Sequence, residues 1–298
     1  MCEKKHMRFF GRRWHVPAAV MALVLTTALS LSAGDDLGAS LRLEGRMALR
    51  RGLQALLAGQ GEDGSWEGDA AATGQAVMAI LMSGLASEWP DLQTAQLRGT
   101  TWLEGWLLAG QKQAQAGWAT GALMAIRPLL RQDGPDGRNW SRLVETALTK
   151  ISPGQAAESD WPWILEAAAL AGQPLPGAER RRRLEELSNR QGAGSPACRL
   201  ASALLAGRPE SEQEPLLAAA WESDWGRESP VGWYWLARVG RVCGHCAPVG
   251  QGSWRDRLMA ILLSRQRGDG GWGDTGESTV RRVFDTALAV QAMVLCLA

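Results

Sequence analysis

The chain has 298 residues, 46% of them hydrophobic, with 32 basic against 31 acidic side chains. That length supports one large domain with a sizeable core, and the near-balance of charge excludes the basic field that nucleic-acid binding requires. Fifteen tryptophans stand against three phenylalanines and one tyrosine, a usage suited to pinned helix layers or a lined cavity.

Basic residues Lys4, Lys5, Arg8, Arg12 and Arg13 precede an apolar stretch from Val16 to Leu31, and small residues follow at Ser30, Ser32 and Ala33. This is the pattern of a signal peptide over 1–33, with Met7 as an alternative start. The expectation is an exported protein, periplasmic or extracellular, with no integral membrane domain after cleavage. An uncleaved N-terminal membrane anchor is the alternative. Residues 34–298 then carry 27 basic and 30 acidic side chains, four cysteines (Cys198, Cys243, Cys246, Cys296) and a single histidine, His245.

Helical periodicity and its stop signals predict paired segments along the rest of the chain. The first member of each pair is amphipathic: about 41–59, 92–110, 138–151, 178–190, 211–222 and 254–265. The second is shorter, richer in Ala and Leu, and apolar nearly all round: about 70–84, 118–130, 161–171, 196–206, 230–241 and 281–297. Gly, Pro and Asp punctuate the joints, and no stretch shows sustained strand alternation. An all-apolar helix must be covered on every side, whereas an amphipathic one can face water. Residues 34–298 are therefore expected to be all-α, an α/α toroid of six helical hairpins with the apolar helices forming the inner ring.

A phrase recurs near both ends. Gln60-Gly-Glu-Asp-Gly-Ser-Trp66 and Gln266-Arg-Gly-Asp-Gly-Gly-Trp272 are both Gln-x3-Gly-x-Trp, and Gln111 to Trp118 is a longer-spaced form. The segments Thr73–Ile80 and Thr286–Met293 align after them. Gly permits the tight turn that ends a helix. A Trp beyond the turn can cover a neighbouring hairpin, and a Gln amide can bond free backbone groups. Gln60, Trp66, Gln111, Trp118, Gln266 and Trp272 are therefore read as structural staples.

Arg51-Gly52-x2-Ala-Leu56-x3-Gln60-x3-Gly64-Ser65-Trp66 resembles the QW repeat of squalene and terpenoid cyclases, whose α/α toroid also occurs in protein prenyltransferase β subunits. Gly232-Trp-Tyr-Trp-Leu-Ala, Gln266 to Asp274 and Val283 to Ala292 resemble the closing repeats of exported bacterial members. The resemblance spans residues 34–298 and is most specific in the first and last repeats. It implies isoprenoid chemistry as the family's activity: an Asp-x-Asp-Asp proton donor in cyclases, or an Asp, Cys and His zinc site in prenyltransferases. This sequence contains neither the cluster nor those spacings. The nearest fragment is Asp285, which also reads as an acid near the start of an inner helix, favoured by the helix dipole.

Other residues keep alternatives open. Cys243-Gly-His245-Cys246 offers two thiolates and an imidazole, open to a disulfide, a zinc site or a redox dithiol. Asp160, Trp161, Trp163, Asp224, Trp233, Tyr234 and Trp235, at or just before the starts of inner helices, are candidates to line a cavity. Cation–π attraction would then act from the aromatic faces, core packing and helix capping being the plainer alternatives. The expected function is a non-catalytic binding module whose cavity or rim takes a partner protein, a peptide or an apolar ligand. An isoprenoid-handling enzyme is the alternative, and a dithiol or zinc role of Cys243 to Cys246 the third. No cofactor is expected, zinc being the one candidate.

Overall fold

The computed structural model describes residues 37–113, 118–131, 161–170, 199–200, 210–222, 228–243 and 253–298, with isolated positions 142 and 146. Among these residues the regular structure is helical, with no strand. The helices are α1 (Ala39–Ala58), α2 (Ala70–Ser83), α3 (Pro90–Gln113), α4 (Trp118–Leu130), α5 (Trp161–Leu170), α6 (Glu210–Glu222), α7 (Pro230–Cys243), α8 (Trp254–Arg265) and α9 (Thr279–Leu297). Each falls where hydrophobic periodicity places one, to within a turn at either end. The predicted leader over 1–33 and the predicted helices over 138–151, 178–190 and 196–206 fall wholly or largely outside the described residues.

The two kinds of helix are buried as differently as their sequences are patterned. In α1 the buried positions are Gly45, Ala48, Leu49, Gly52, Leu53 and Leu56, the i, i+3, i+4, i+7 stripe of a helix with one wet face. In α2 nearly every residue from Ala70 to Ile80 is buried, and in α9 every residue from Asp285 to Met293. Burying each large aliphatic side chain in such a helix contributes roughly 1.5–3 kcal/mol. The apolar helices pack side by side in the order α7, α9, α2, α4, α5. The amphipathic ones lie against them: α1 on α9 and α2, α3 on α2 and α4, α6 on α7, and α8 on α7 and α9. The last described helices thus pack on the first described one.

Helix starts are set by short polar side chains. Asp69 accepts from the Ala72 backbone N–H, Ser253 from that of Arg255 and Ser278 from that of Arg281, satisfying donors that a first turn leaves free. Inside, the amides of Gln291 and Gln75 meet between α9 and α2. Gln291 Nε2 donates to Gln75 Oε1 at 2.9 Å and to the Gln75 carbonyl at 3.2 Å. A fully buried amide pair is expensive to break, because each partner left alone carries its whole desolvation cost.

Candidate functional site

The first and last Gln–Trp turns are built from the same bonds. In the first, Gln60 Nε2 donates to the carbonyls of Gly64 and Ala95, both at 2.9 Å. In the last, Gln266 Nε2 donates to Gly270 at 2.9 Å and Ala48 at 2.8 Å. Trp66 Nε1 donates to Leu56 O at 2.7 Å, and Trp272 Nε1 to Leu262 O at 2.8 Å. Both indoles are fully buried. The Trp66 backbone N–H donates to Thr73 Oγ1 at 2.9 Å, and that of Trp272 to Thr286 Oγ1 at 3.0 Å.

Gly64 and Gly270 stand at φ +91° and +87°. A Cβ on Gly64 would meet Arg98 O at 2.8 Å, and one on Gly270 would meet Arg51 O at 2.6 Å. Both the backbone angle and the close approach therefore require glycine. The receiving helices match as well. Trp66 lies against Gly99 of α3, and Trp272 against Gly52 of α1. The receiving phrase, Ala-x2-Arg-Gly at 48–52 and 95–99, is legible in the sequence once its role is known.

One difference separates the turns. From Trp to the Thr that accepts its N–H is 7 residues in the first and 14 in the last. The added length includes Gly273, Asp274 and Glu277. These residues form part of a cleft of about 350 Å³ lined by Glu228, Ser229, Pro230, Trp233, Arg265, Gly273, Asp274, Glu277, Arg281 and Asp285. Immediately before the stapling threonine, the first turn has Ala72 and the last has Asp285. The cleft thus sits where the start of α7, the lengthened turn and the first two turns of α9 meet.

Asp285 is 2% exposed. Its Oδ2 accepts from Arg281 Nε at 3.1 Å, while its Oδ1 has no hydrogen-bond partner. Burial raises its pKa from 3.8 to about 7, with Glu277 adding to the rise and Arg281 opposing it. Because α9 begins at Thr279, Asp285 lies beyond the first turn, where the helix dipole that favours an acid has faded. Arg281 also approaches Glu277 at 3.9 Å, and Arg265 approaches Glu228 at 3.5 Å. Across the wall, Trp233 is 2% exposed and its Nε1 has no partner.

Of the other aromatic candidates, Trp163, Tyr234 and Trp235 are buried. Trp163 lies 5.5 Å from both Tyr234 and Trp235, and Tyr234 lies 5.2 Å from Trp235. The Arg127 guanidinium sits over the Trp163 ring at 4.8 Å, a cation–π contact strengthened by exclusion of water. Tyr234 O–H donates to Glu166 Oε1 at 2.5 Å, and Arg127 Nη2 donates to Tyr234 Oη at 2.9 Å. Arg127 pairs with Glu166 Oε2 at 2.5 Å, and Arg238 with Oε1 at 3.4 Å. Burial, then the charge of Glu166, pushes the Tyr234 phenol well above its usual range, so it stays a neutral donor. This brace joins α4, α5 and α7 through the interior. Periodicity alone does not mark Arg127 or Glu166, because their partners are distant in sequence.

No protein-family model matches the chain, and no curated protein matches it.

Among the described residues no group of three or more His, Cys, Asp or Glu is placed to hold a metal ion. No described helix is long and apolar enough to cross a membrane. Cys296 is buried and free, and burial pushes its thiol up. Asp160, Asp224, Cys198, His245 and Cys246 lie outside the described residues, as do the side chains of Gln111, Trp118, Trp161 and Cys243. Sequence reasoning singled out Trp233 and Asp285 of the cleft but missed Glu228, Asp274, Glu277 and Arg281. The signal available was the doubled spacing from Trp272 to Thr286.

Proposed function

We propose that residues 34–298 form an exported α/α toroid of the squalene-cyclase and prenyltransferase repeat kind. In this reading the toroid is a binding module that uses the cleft on its rim. The observation that carries it is the pairing of the two turns. The first Gln–Trp turn docks on the following amphipathic helix through Ala95, and the last docks on the first described helix through Ala48. A ring of hairpins would close in that way, the first turn stapled to the next repeat and the last to the first.

Support for binding over catalysis comes from the interior. Relatives of the cyclase kind hold an apolar substrate among aromatic faces, whereas here Trp163, Tyr234 and Trp235 are buried on one another. They are braced by Arg127 and Glu166. A cleft among the described residues is polar, lined by Glu228, Asp274, Glu277 and Asp285.

A second reading, an isoprenoid-handling enzyme, is favoured by one observation. Asp285 is a buried acid facing a cleft, with its pKa raised to about 7, the setting in which a carboxylic acid can donate a proton. Incubation with squalene and with prenyl diphosphates, followed by product analysis, separates the two. The binding-module reading expects no product, and turnover that disappears in Asp285→Asn would overturn it. Metal analysis and thiol labelling of the purified chain test the zinc and dithiol expectations for Cys243, His245 and Cys246 in the same way.

A further inference from the structure

We infer that the cleft formed by the lengthened last turn is a receptor for a basic side chain of a polypeptide. A lysine or arginine head would be held by the carboxylates, and a ligand carbonyl would accept from Trp233. The inference rests on the binding-module reading and specifies its ligand class.

Charge supplies the first part of the argument. Among the described residues the wall carries four carboxylates, Glu228, Asp274, Glu277 and Asp285, against two guanidiniums, Arg265 and Arg281. Both guanidiniums are already paired with wall carboxylates, so an anionic ligand would meet surplus negative charge while a cation would neutralise it. The second part is independent of charge. Asp285 and Trp233, two residues that line the cleft, each carry a buried polar atom without a partner, Oδ1 and Nε1. Such atoms are costly unless something satisfies them. One is an acceptor that needs a donor, and the other a donor that needs an acceptor. An ammonium or guanidinium beside a peptide carbonyl offers both. The first Gln–Trp turn has Ala72 in place of Asp285 and lacks the added residues, so stapling alone does not explain these groups.

Arg281, about half exposed, lies against Asp285 and competes with an incoming cation for it. Among the described residues, the charged groups that line the cleft with Asp285 are Arg281 and Glu277 from its own helix and turn. Glu228 and Arg265 come from the neighbouring elements, and Asp274 from the lengthened loop. Neutralisation by a ligand releases the proton that Asp285 shares with solvent near neutrality, so binding tightens as pH rises.

The test is calorimetric titration of the purified full-length chain with tetralysine, tetra-arginine, their acetylated or citrulline counterparts, and cadaverine. The expected result is binding of the two basic peptides in preference to the neutral ones, about tenfold tighter at pH 8 than at pH 6 and weakened by salt. Asp285→Asn should lower the affinity at pH 8 by about fivefold or more, and Glu277→Gln and Asp274→Asn by about two- to threefold each. Arg281→Gln should raise it, an effect of opposite sign that loss of folding cannot imitate. Equal affinity for cadaverine, which has no carbonyl, would overturn the peptide assignment. Failure of both basic peptides to bind, or binding indifferent to all four substitutions, would overturn the cation site. If neutral or apolar peptides compete for the cleft instead, the cation site is lost while the module stands. Product formation from prenyl diphosphates would end the module reading whatever the peptides do.

Discussion

The first and last Gln–Trp turns share every staple and differ in what lies between Trp and Thr. In the first turn the chain passes in 7 residues from Trp66 to Thr73, and its neighbour Ala72 is buried without polar atoms to satisfy. In the last turn the same step takes 14 residues, and the neighbour is Asp285, buried with an unpartnered oxygen. The first turn bonds its Gln and Trp side chains to neighbouring backbone. The other keeps the joint and adds groups whose cost folding does not explain. Comparing two copies of one device within a chain separates what the architecture needs from what has been added to it.

The comparison breaks most visibly at the indoles. Trp66→Ala and Trp272→Ala should each cost about 3–5 kcal/mol in denaturant unfolding, with similar values for the two. A much smaller loss at Trp272 would mean that the last turn does not hold the first helix as the first turn holds α3. Next come the glycines. Gly64→Ala and Gly270→Ala should each lose about 2–3 kcal/mol, since a Cβ at positive φ would also strike a carbonyl of the adjacent helix. Gln60→Ala and Gln266→Ala each remove two bonds to backbone carbonyls and should cost about 1–2 kcal/mol. Equal losses in each pair sharpen the equivalence of the two staples.

A stability effect of similar size should be confined to the last turn. The folded state holds the Asp285 proton more tightly than the unfolded chain, whose carboxyl titrates near 3.8. Stability from this group is therefore full at low pH and is lost as pH rises through about 7. Asp285→Asn should stabilise the protein at pH 8 by on the order of 1–2 kcal/mol and flatten the decline between pH 4 and 7. A variant that is less stable at pH 8, or keeps that slope, would count against a buried, strained carboxylate. Denaturant titrations across this pH range decide it.

Much of this difference was already written in the sequence. The helices were legible because periodicity and Gly, Pro and Asp breaks are local signals, and Gln-x3-Gly-x-Trp named both staples. The doubled spacing from Trp272 to Thr286 was countable too, but its meaning depends on Thr73 and Thr286 both accepting an indole residue's N–H, which only tertiary structure reveals. The receiving Ala-x2-Arg-Gly phrases had the same fate, being plain as text and silent as to partner. Least legible was the Arg127, Glu166 and Tyr234 brace, whose bonds span 68 and 107 residues. Nothing local about Trp161-Pro-Trp163 or Trp233-Tyr-Trp235 distinguishes a ring packed in the interior from one on a cleft wall. Neighbouring Trp233 and Tyr234 take the two fates.

The most direct test is the carboxyl carbon-13 titration of Asp285, followed by NMR in the free chain and with saturating tetralysine. A midpoint near 7 in the free protein that falls clearly when the peptide is bound is the predicted result. A midpoint near 3.8 in the free protein, or one that tetralysine leaves in place, would contradict it.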